Sequence, residues 1–420
     1  MVEKTEMKNF QSLFLNVKTQ YLLKRKKSRF KVNDAAAFRL TACKVMLFAF
    51  AILLLFPTVV LAAEEMNPGE DIYREQLESS GAQGLSEQLP EETQQLLQEL
   101  GLADFSEDGV FQLNFNDIMQ QTALLAQQKA AGPLRAALCV IGIIALCALL
   151  QSVKTSFLND EITQVFSIAC VLMTAAVVVT PIVSLISRAQ DTALGAFTFL
   201  ISFVPVYAGI MIANGQPVTA GAYSATTIAA AQGASGLIST VVAPSLQMLL
   251  ALSVVSAAAP KINLQGIHSF LQKLVKWLLG FVMTIFVTIL SLQGAAGGAA
   301  DSLAVKTAKM VIGNAVPVVG GALSDAYTSV RGYVGVLKSS VGAFGILAGG
   351  AIFLPLILEL LIWIVATELC AAAGELFDQK EISGLLKAIS SVLGLFLAVL
   401  LCCAALLIIS TGIVLSVKAS

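Results

Sequence analysis

Runs of roughly twenty apolar residues recur along the C-terminal two-thirds of this chain, and that is the length a helix needs to cross the hydrocarbon of a bilayer. They cover 134–153, 162–186, 193–213, 226–259, 271–292, 341–370 and 385–417. A water-soluble domain carries about 25% charged residues to cover its surface. This chain has 13% charged and 57% hydrophobic residues over 420 positions, too few charges for a soluble exterior of that size. Lipid tolerates an apolar exterior, provided each crossing segment satisfies its own backbone hydrogen bonds. The expected fold class is all-α: a polytopic transmembrane helical bundle of about six to eight spans, behind an N-terminal signal sequence and a small exported helical segment.

The net charge of −1 conceals a strong segregation. The first 63 residues hold eleven Lys/Arg against Glu3, Glu6 and Asp34, whereas residues 64–132 hold fourteen acids against Arg74 and Lys129. Such asymmetry is a topology signal and gives no pointer to nucleic acid. Residues 1–44 read as a basic cytoplasmic lead. Residues 45–63 read as a signal peptide ending in small residues, with cleavage expected after Ala62 or Ala63. An uncleaved anchor has the same sidedness. Residues 64–133 then form an acidic exported segment, with Leu96, Leu97, Leu100 and Leu102 at helical spacing, and residues 134–417 a polytopic membrane domain.

Two stretches resist a simple span reading. Residues 226–259 are too long for one crossing and contain Pro244, so a re-entrant hairpin or two short helices is expected. A hairpin leaves Lys261, Lys273 and Lys276 on the cytoplasmic side. Residues 294–340 are rich in Gly, Ala and Ser and carry Lys306, Lys309, Arg331 and Lys338, which reads as amphipathic or re-entrant. An internal repeat fits two registers. One pairs 203–209 with 315–321. The other pairs Asn214, Pro217, Val218, Gly221 and Ala222 with Asn314, Pro317, Val318, Gly321 and Ala322. Repeats of this kind mark matched broken helices in transporters.

Candidate chemistry is sparse. Six of the seven cysteines lie in apolar runs, and Cys43 lies just before the first; none is in 64–132, so no disulfide is expected and the thiols read as small apolar packers. His268 is the only histidine, and no cysteine spacing suits zinc. Glu359 and Glu368 lie inside one apolar run; nine residues apart, they face opposite sides of a helix. Carboxylates in lipid are costly and must face a bundle interior, a partner or water, and Glu359 is the deeper one. Gly233-Ala234-Ser235-Gly236 matches an intramembrane serine-protease motif, but His268 sits in a polar connection rather than a later span. Gly345 and Gly349 make a small-xxx-small pattern, ordinarily a helix-packing device. No Walker A, HExxH or dinucleotide fingerprint occurs. The expectation is a non-enzyme without cofactor or metal, with any energy supplied by a partner or a gradient.

Ordered motifs suggest a family. Ser291-Leu292-Gln293-Gly294-Ala295-Ala296, then Lys306-Thr307-Ala308-Lys309, Val316-Pro317-Val318-Val319-Gly320 and Ser324-Asp325-Ala326 keep the order found in stage III sporulation protein AE, and Phe199 to Pro205 is similar to its earlier L-I-x-x-x-P segment. The resemblance implies a membrane component of a channel or secretion-like complex between mother cell and forespore. Implied partners are an ATPase, ring-forming subunits and the lipid bilayer. The implied location is the mother-cell membrane around the forespore, and the implied role is forespore development. It supplies no catalytic residues, and the long basic lead departs from it. Glu359, Pro205, Pro317, Gly320 and Asp325 are the candidate pore- or partner-facing positions. The rival reading is a self-contained small-solute transporter or permease with broken helices.

Overall fold

A computed structural model describes residues 80–99, 115–154, 160–259, 264–315 and 320–416. The basic lead, the signal peptide, Leu100, Leu102 and Pro317 lie outside these residues. Among the described residues the chain is helical and contains no strand. A 3₁₀ turn, Ala82–Gln88, precedes α1, Glu91–Glu99; then come α2, Phe115–Lys154, and α3, Asp160–Ala213. Next are α4, Pro217–Leu237, a π turn at Ile238–Val242, and α5, Ala243–Ala258. The last three are α6, Gln265–Ala315, α7, Gly320–Leu376, and α8, Lys380–Ser416. Among the described residues, six stretches are long and apolar enough to cross a membrane: Met119–Leu150, Val165–Ala213, Pro217–Ala258, Gln265–Thr307, Val330–Leu376 and Lys380–Gly412.

Three expectations about helix boundaries are corrected. Residues 162–186 and 193–213 are not separate spans: α3 runs unbroken through Pro181 and Pro205 for 54 residues. Residues 226–259 are not a hairpin, because α4 and α5 join end to end through the π turn with helical backbone angles at each junction. Pro244 follows the π turn directly, the kind of local adjustment by which a helix interior accommodates a missing N–H. Residues 294–315 are no re-entrant loop but the continuation of α6, and 320–340 open α7. At 1.5 Å per residue α3 rises about 81 Å, far beyond the ~30 Å hydrocarbon layer, so its ends leave the lipid.

Two helix ends turn by the same device. At the end of α3, Gln216 N–H donates to Met211 C=O and Gly215 N–H to Ile212 C=O, with Gly215 left-handed (φ 77°). At the end of α7, Gln379 N–H donates to Gly374 C=O and Asp378 N–H to Glu375 C=O, with Asp378 left-handed (φ 55°). Both satisfy the last carbonyls of their helices through a left-handed residue. The turns also decide between the repeat registers. Residues 203–209 lie inside α3 while 315–321 lie at the α6–α7 junction. Asn214–Ala222 and Asn314–Ala322 both lie at junctions. The second register therefore matches the topology, and Ile212/Ile312 and Ser224/Ser324 extend it.

The core is built on α7 and α8, an antiparallel pair packed against α3. Gly345 permits this approach: a Cβ there would meet the Phe203 ring of α3 at 2.7 Å and Thr411 of α8 at 3.0 Å. At Gly349 a Cβ would overlap the Leu407 side chain of α8. The pattern thus packs helices within one chain. Gly349→Val is expected to destabilise the bundle by about 1–3 kcal/mol, as overpacking of a close contact does; thermal unfolding in detergent, beside Gly335→Val in open space, measures it. On the outer surface, α6 leaves Phe270, Trp277, Phe281, Ile285 and Leu292 exposed on a stripe, as a lipid-facing helix does.

Candidate functional site

Among the polar contacts that cross between helices in the described part of the bundle, two groups hold buried carboxylates at long range in sequence. The first joins α3 to α7. Arg188 donates to both carboxylate oxygens of Glu359, at 2.6 Å from Nη2 and 3.0 Å from Nη1. The fork geometry of a guanidinium suits such a bidentate pair. The Glu359 side chain is 11% exposed and that of Arg188 is 52% exposed, so the carboxylate is buried while the cation reaches the bundle surface. Arg188 is the only basic residue between Lys154 and Lys261. A lone cation in so long an apolar stretch was a signal for an intramembrane pair that the sequence reading passed over. Glu368, nine residues on and on the opposite side of α7, accepts instead from Ser390 Oγ of α8 at 2.7 Å.

The second contact gathers around the turn between α3 and α4. Pro217 opens α4, so the first free N–H groups belong to Val218 and Thr219. Both donate to Asp301 of α6, at 3.0 Å and 2.9 Å, and Thr219 Oγ1 donates to the same carboxylate at 2.5 Å. An acidic cap normally comes from the helix's own chain neighbour; here another helix supplies it, which ties α6 to the positive end of α4. Asp301 is 2% exposed. Nearby, Lys338 Nζ donates to Gln216 Oε1 at 2.9 Å and Arg331 Nε to the Asn214 carbonyl at 2.9 Å, both from α7. About two turns further in, Thr226 Oγ1 donates to Gln293 Oε1 at 2.7 Å. At Gly297 a Cβ would meet Thr219 at 2.7 Å, so α4 and α6 touch backbone to backbone. Gln293 belongs to the S-x-Q-G-A motif singled out above; its amide holds α4.

The five candidate positions do not converge. Glu359 faces Arg188. Pro205 lies on α3 and is exposed. It is 17 residues from Arg188, about 26 Å along the helix axis. Pro317 lies outside the described residues, Gly320 begins α7, and Asp325 lies in the first turns of α7. The residues that sequence reasoning missed are Arg188, Asp301, Gln216 and Asn214. Asp301 carried a signal, because it is the only acid between residues 192 and 324. Gly233–Gly236 and His268 do not form a protease site. His268 Nε2 lies 3.5 Å from Ser253 Oγ, whose proton goes to the Leu249 carbonyl at 2.8 Å. Ser235 is 18 residues from Ser253, about 27 Å along the α4–α5 run.

The expectation of no disulfide is also corrected. Cys147 of α2 and Cys170 of α3 are bonded to each other. The packing of α2 on α3 brings the two thiols together. That packing was invisible in the spacing, so attention to the exported segment alone missed the pair. Digestion of the unreduced, alkylated protein is expected to release a linked Cys147–Cys170 peptide pair that reduction separates, as mass spectrometry would read. Recovery of both peptides already alkylated would count against the bond. Elsewhere, Lys129 of α2 pairs with Glu92 of α1 at 2.6 Å, which docks the short acidic helix on the bundle.

Long apolar helices stapled by an internal ion pair and a shared helix cap define an integral, multi-pass helical membrane protein. The chain belongs to the stage III sporulation protein AE family, whose description matches residues 100–418. It is 23% identical over 200 residues to the stage III sporulation protein AE of Bacillus subtilis (strain 168). That match covers 48% of this chain and 50% of the relative, so the chain spans about half the length of the curated relative it matches. No solved structure matches it.

Proposed function

We propose that this protein is a non-enzymatic membrane component of a sporulation channel or secretion-like complex connecting mother cell and forespore, needed for forespore development. The observation that carries this reading is the use made of the carboxylates of the helical bundle. Glu359 is occupied by Arg188, Asp301 by the start of α4, and Glu368 by Ser390. Each joins two helices, as a scaffold requires, and family membership supplies the sporulation context. In this reading the chain sits in the mother-cell membrane, residues 64–133 are exported and meet partners between the membranes, and an ATPase and ring-forming subunits belong to the same assembly. Pro205 and the segment from Pro317 through Gly320 to Asp325 are its partner-facing positions, and Glu359 acts through the exposed half of Arg188.

The test is genetic and biochemical. Deleting the gene in its spore-forming host is expected to arrest development after engulfment, and the tagged protein solubilised from sporulating cells is expected to bring down an ATPase and ring proteins. Normal spores, or a protein that purifies alone and moves a small solute when reconstituted by itself, would replace this reading with the transporter one.

A further inference from the structure

One bilayer cannot cover the apolar exterior of this bundle from end to end. Among the described residues, four of the long apolar stretches run 42 to 49 residues, about 60–75 Å as helix against ~30 Å of hydrocarbon. Contacts between helices fix the levels along the bundle. α3 and α7 are antiparallel in one register, with Arg188 against Glu359, Phe203 against Gly345 and Asn214 against Arg331. Residues 80–99 dock on α3 between the first two of these contacts, since a Cβ on Gly195 would lie 3.5 Å from Pro90. Their apolar side is buried through Ala82, Leu85, Leu89, Leu96 and Leu97, whereas Glu87, Glu91, Glu92 and Glu99 are exposed. Exposed carboxylates do not lie in hydrocarbon, so on this face the lipid stops short of Gly195. On α6, Gln272 Nε2 donates to Ser391 Oγ, beside the bond from Ser390 to Glu368. That puts Trp277 within about 6 Å of the level of the Arg188–Glu359 pair. Trp277 is exposed together with Lys273 and Lys276, the residue types that mark a headgroup layer.

From Gly195 to Asn214, α3 rises about 28 Å, one hydrocarbon thickness. The segments on that side are 196–213, 217–237, 280–300, 332–355 and 399–416; their one charged residue is Lys338, buried and bonded to Gln216. Arg331 and the exposed Lys306 then stand at the far end, by the α3–α4 turn. The half beyond Arg188 differs. There α7 ends about 26 Å past Glu359, and α7 and α8 carry Glu368 and an exposed Glu375–Lys387 ion pair within that length. This half is too short and too charged to cross hydrocarbon. α2 and the first half of α3 rise on the same side. Their exposed Leu138, Leu149 and Leu172 would suit lipid, but one bilayer cannot take in both halves. The Cys147–Cys170 bond also lies there, about 27 Å beyond Arg188 along α3, and disulfides persist in exported, oxidising compartments. We propose that lipid covers only the half of the bundle between the Arg188–Gly195 level and the α3–α4 turn, in five crossings, and that α2 with the first half of α3 projects from the membrane on the side of residues 80–99. This placement stands on the helix levels, whether or not the sporulation reading holds.

Tryptophan quenching by lipids brominated on their acyl chains tests it in the full chain in liposomes, because bromine quenches only rings that touch lipid. With the two native tryptophans replaced (Trp277→Phe, Trp363→Phe), single tryptophans are introduced at exposed positions. Ile285→Trp is expected to be quenched several-fold more than Leu149→Trp or Leu172→Trp. Quenching at 149 or 172 equal to that at 285 would overturn the placement. Weak quenching at all three would overturn it too, since the half toward the α3–α4 turn would then be free of lipid. A second reading needs no change at the surface. Trp277, left as the lone tryptophan by Trp363→Phe, is expected to be quenched more by bromines near the headgroup than by bromines near the chain ends. The reverse order would move the boundary away from the Arg188 level, and the proposal fails.

Discussion

Replacing Arg188 by Met is expected to unfold the bundle more readily than any other single change at the α3–α7 contact, and more readily than Glu359→Gln at the other end of the same ion pair. The asymmetry follows from burial. Without Arg188, a carboxylate whose side chain is 11% exposed stays in the bundle with no countercharge, and breaking a buried pair from that side costs about 3–5 kcal/mol. Without the Glu359 charge, Arg188 is already half outside and can turn its guanidinium to water or lipid headgroups. That change is expected to cost only about 1 kcal/mol, in the range of an exposed pair or one neutral hydrogen bond. Thermal unfolding of both variants in one detergent gives the ranking. The double variant Arg188→Met with Glu359→Leu removes both charges and should recover most of the loss, because replacing a buried pair by apolar groups is often neutral. Equal losses in the two single variants, or no recovery in the double, would mean that the pair does not carry the contact.

The second large effect is expected at Asp301. Asp301→Ala deprives Val218 N–H, Thr219 N–H and Thr219 Oγ1 of their acceptor at once. The two backbone groups open α4, where no side chain of the α3–α4 turn caps them. Losing a cap costs about 1 kcal/mol, and leaving buried donors unsatisfied adds about 1–3 kcal/mol, so a total loss of about 2–4 kcal/mol is expected. Asp301→Asn keeps one acceptor oxygen and should lose roughly half of that. Limited proteolysis at 214–216 should accelerate in the same order, since the turn is held from α6 and α7. Unchanged proteolysis in Asp301→Ala would show that Lys338 and Arg331 suffice to hold the turn.

The two sites were legible in the sequence to different degrees. Glu359 was found because a carboxylate in lipid is conspicuous whatever surrounds it. Its partner was not, since Arg188 sits in Ser187-Arg188-Ala189-Gln190-Asp191, which reads as a polar break between two spans. The helix does not stop there, because Glu359 neutralises the arginine within the bundle. Asp301 was overlooked for a related reason. In a run of Gly and Ala it looks like a stray surface acid, and only the approach of α4 at Gly297 turns it into a cap. The cysteine pair needed the register between α2 and α3, which no local pattern contains.

Sequence alone determined the solvent of this protein: so few charges and such long apolar runs are tolerable only in hydrocarbon, and hydrocarbon demands helices. It also carried the family, because the motifs stand in order along the chain. Tertiary structure decided where each helix ends and which charges meet. Those outcomes depend on groups more than eighty residues apart, and an apolar helix has no local reason to stop at a polar residue when a neighbouring helix satisfies it.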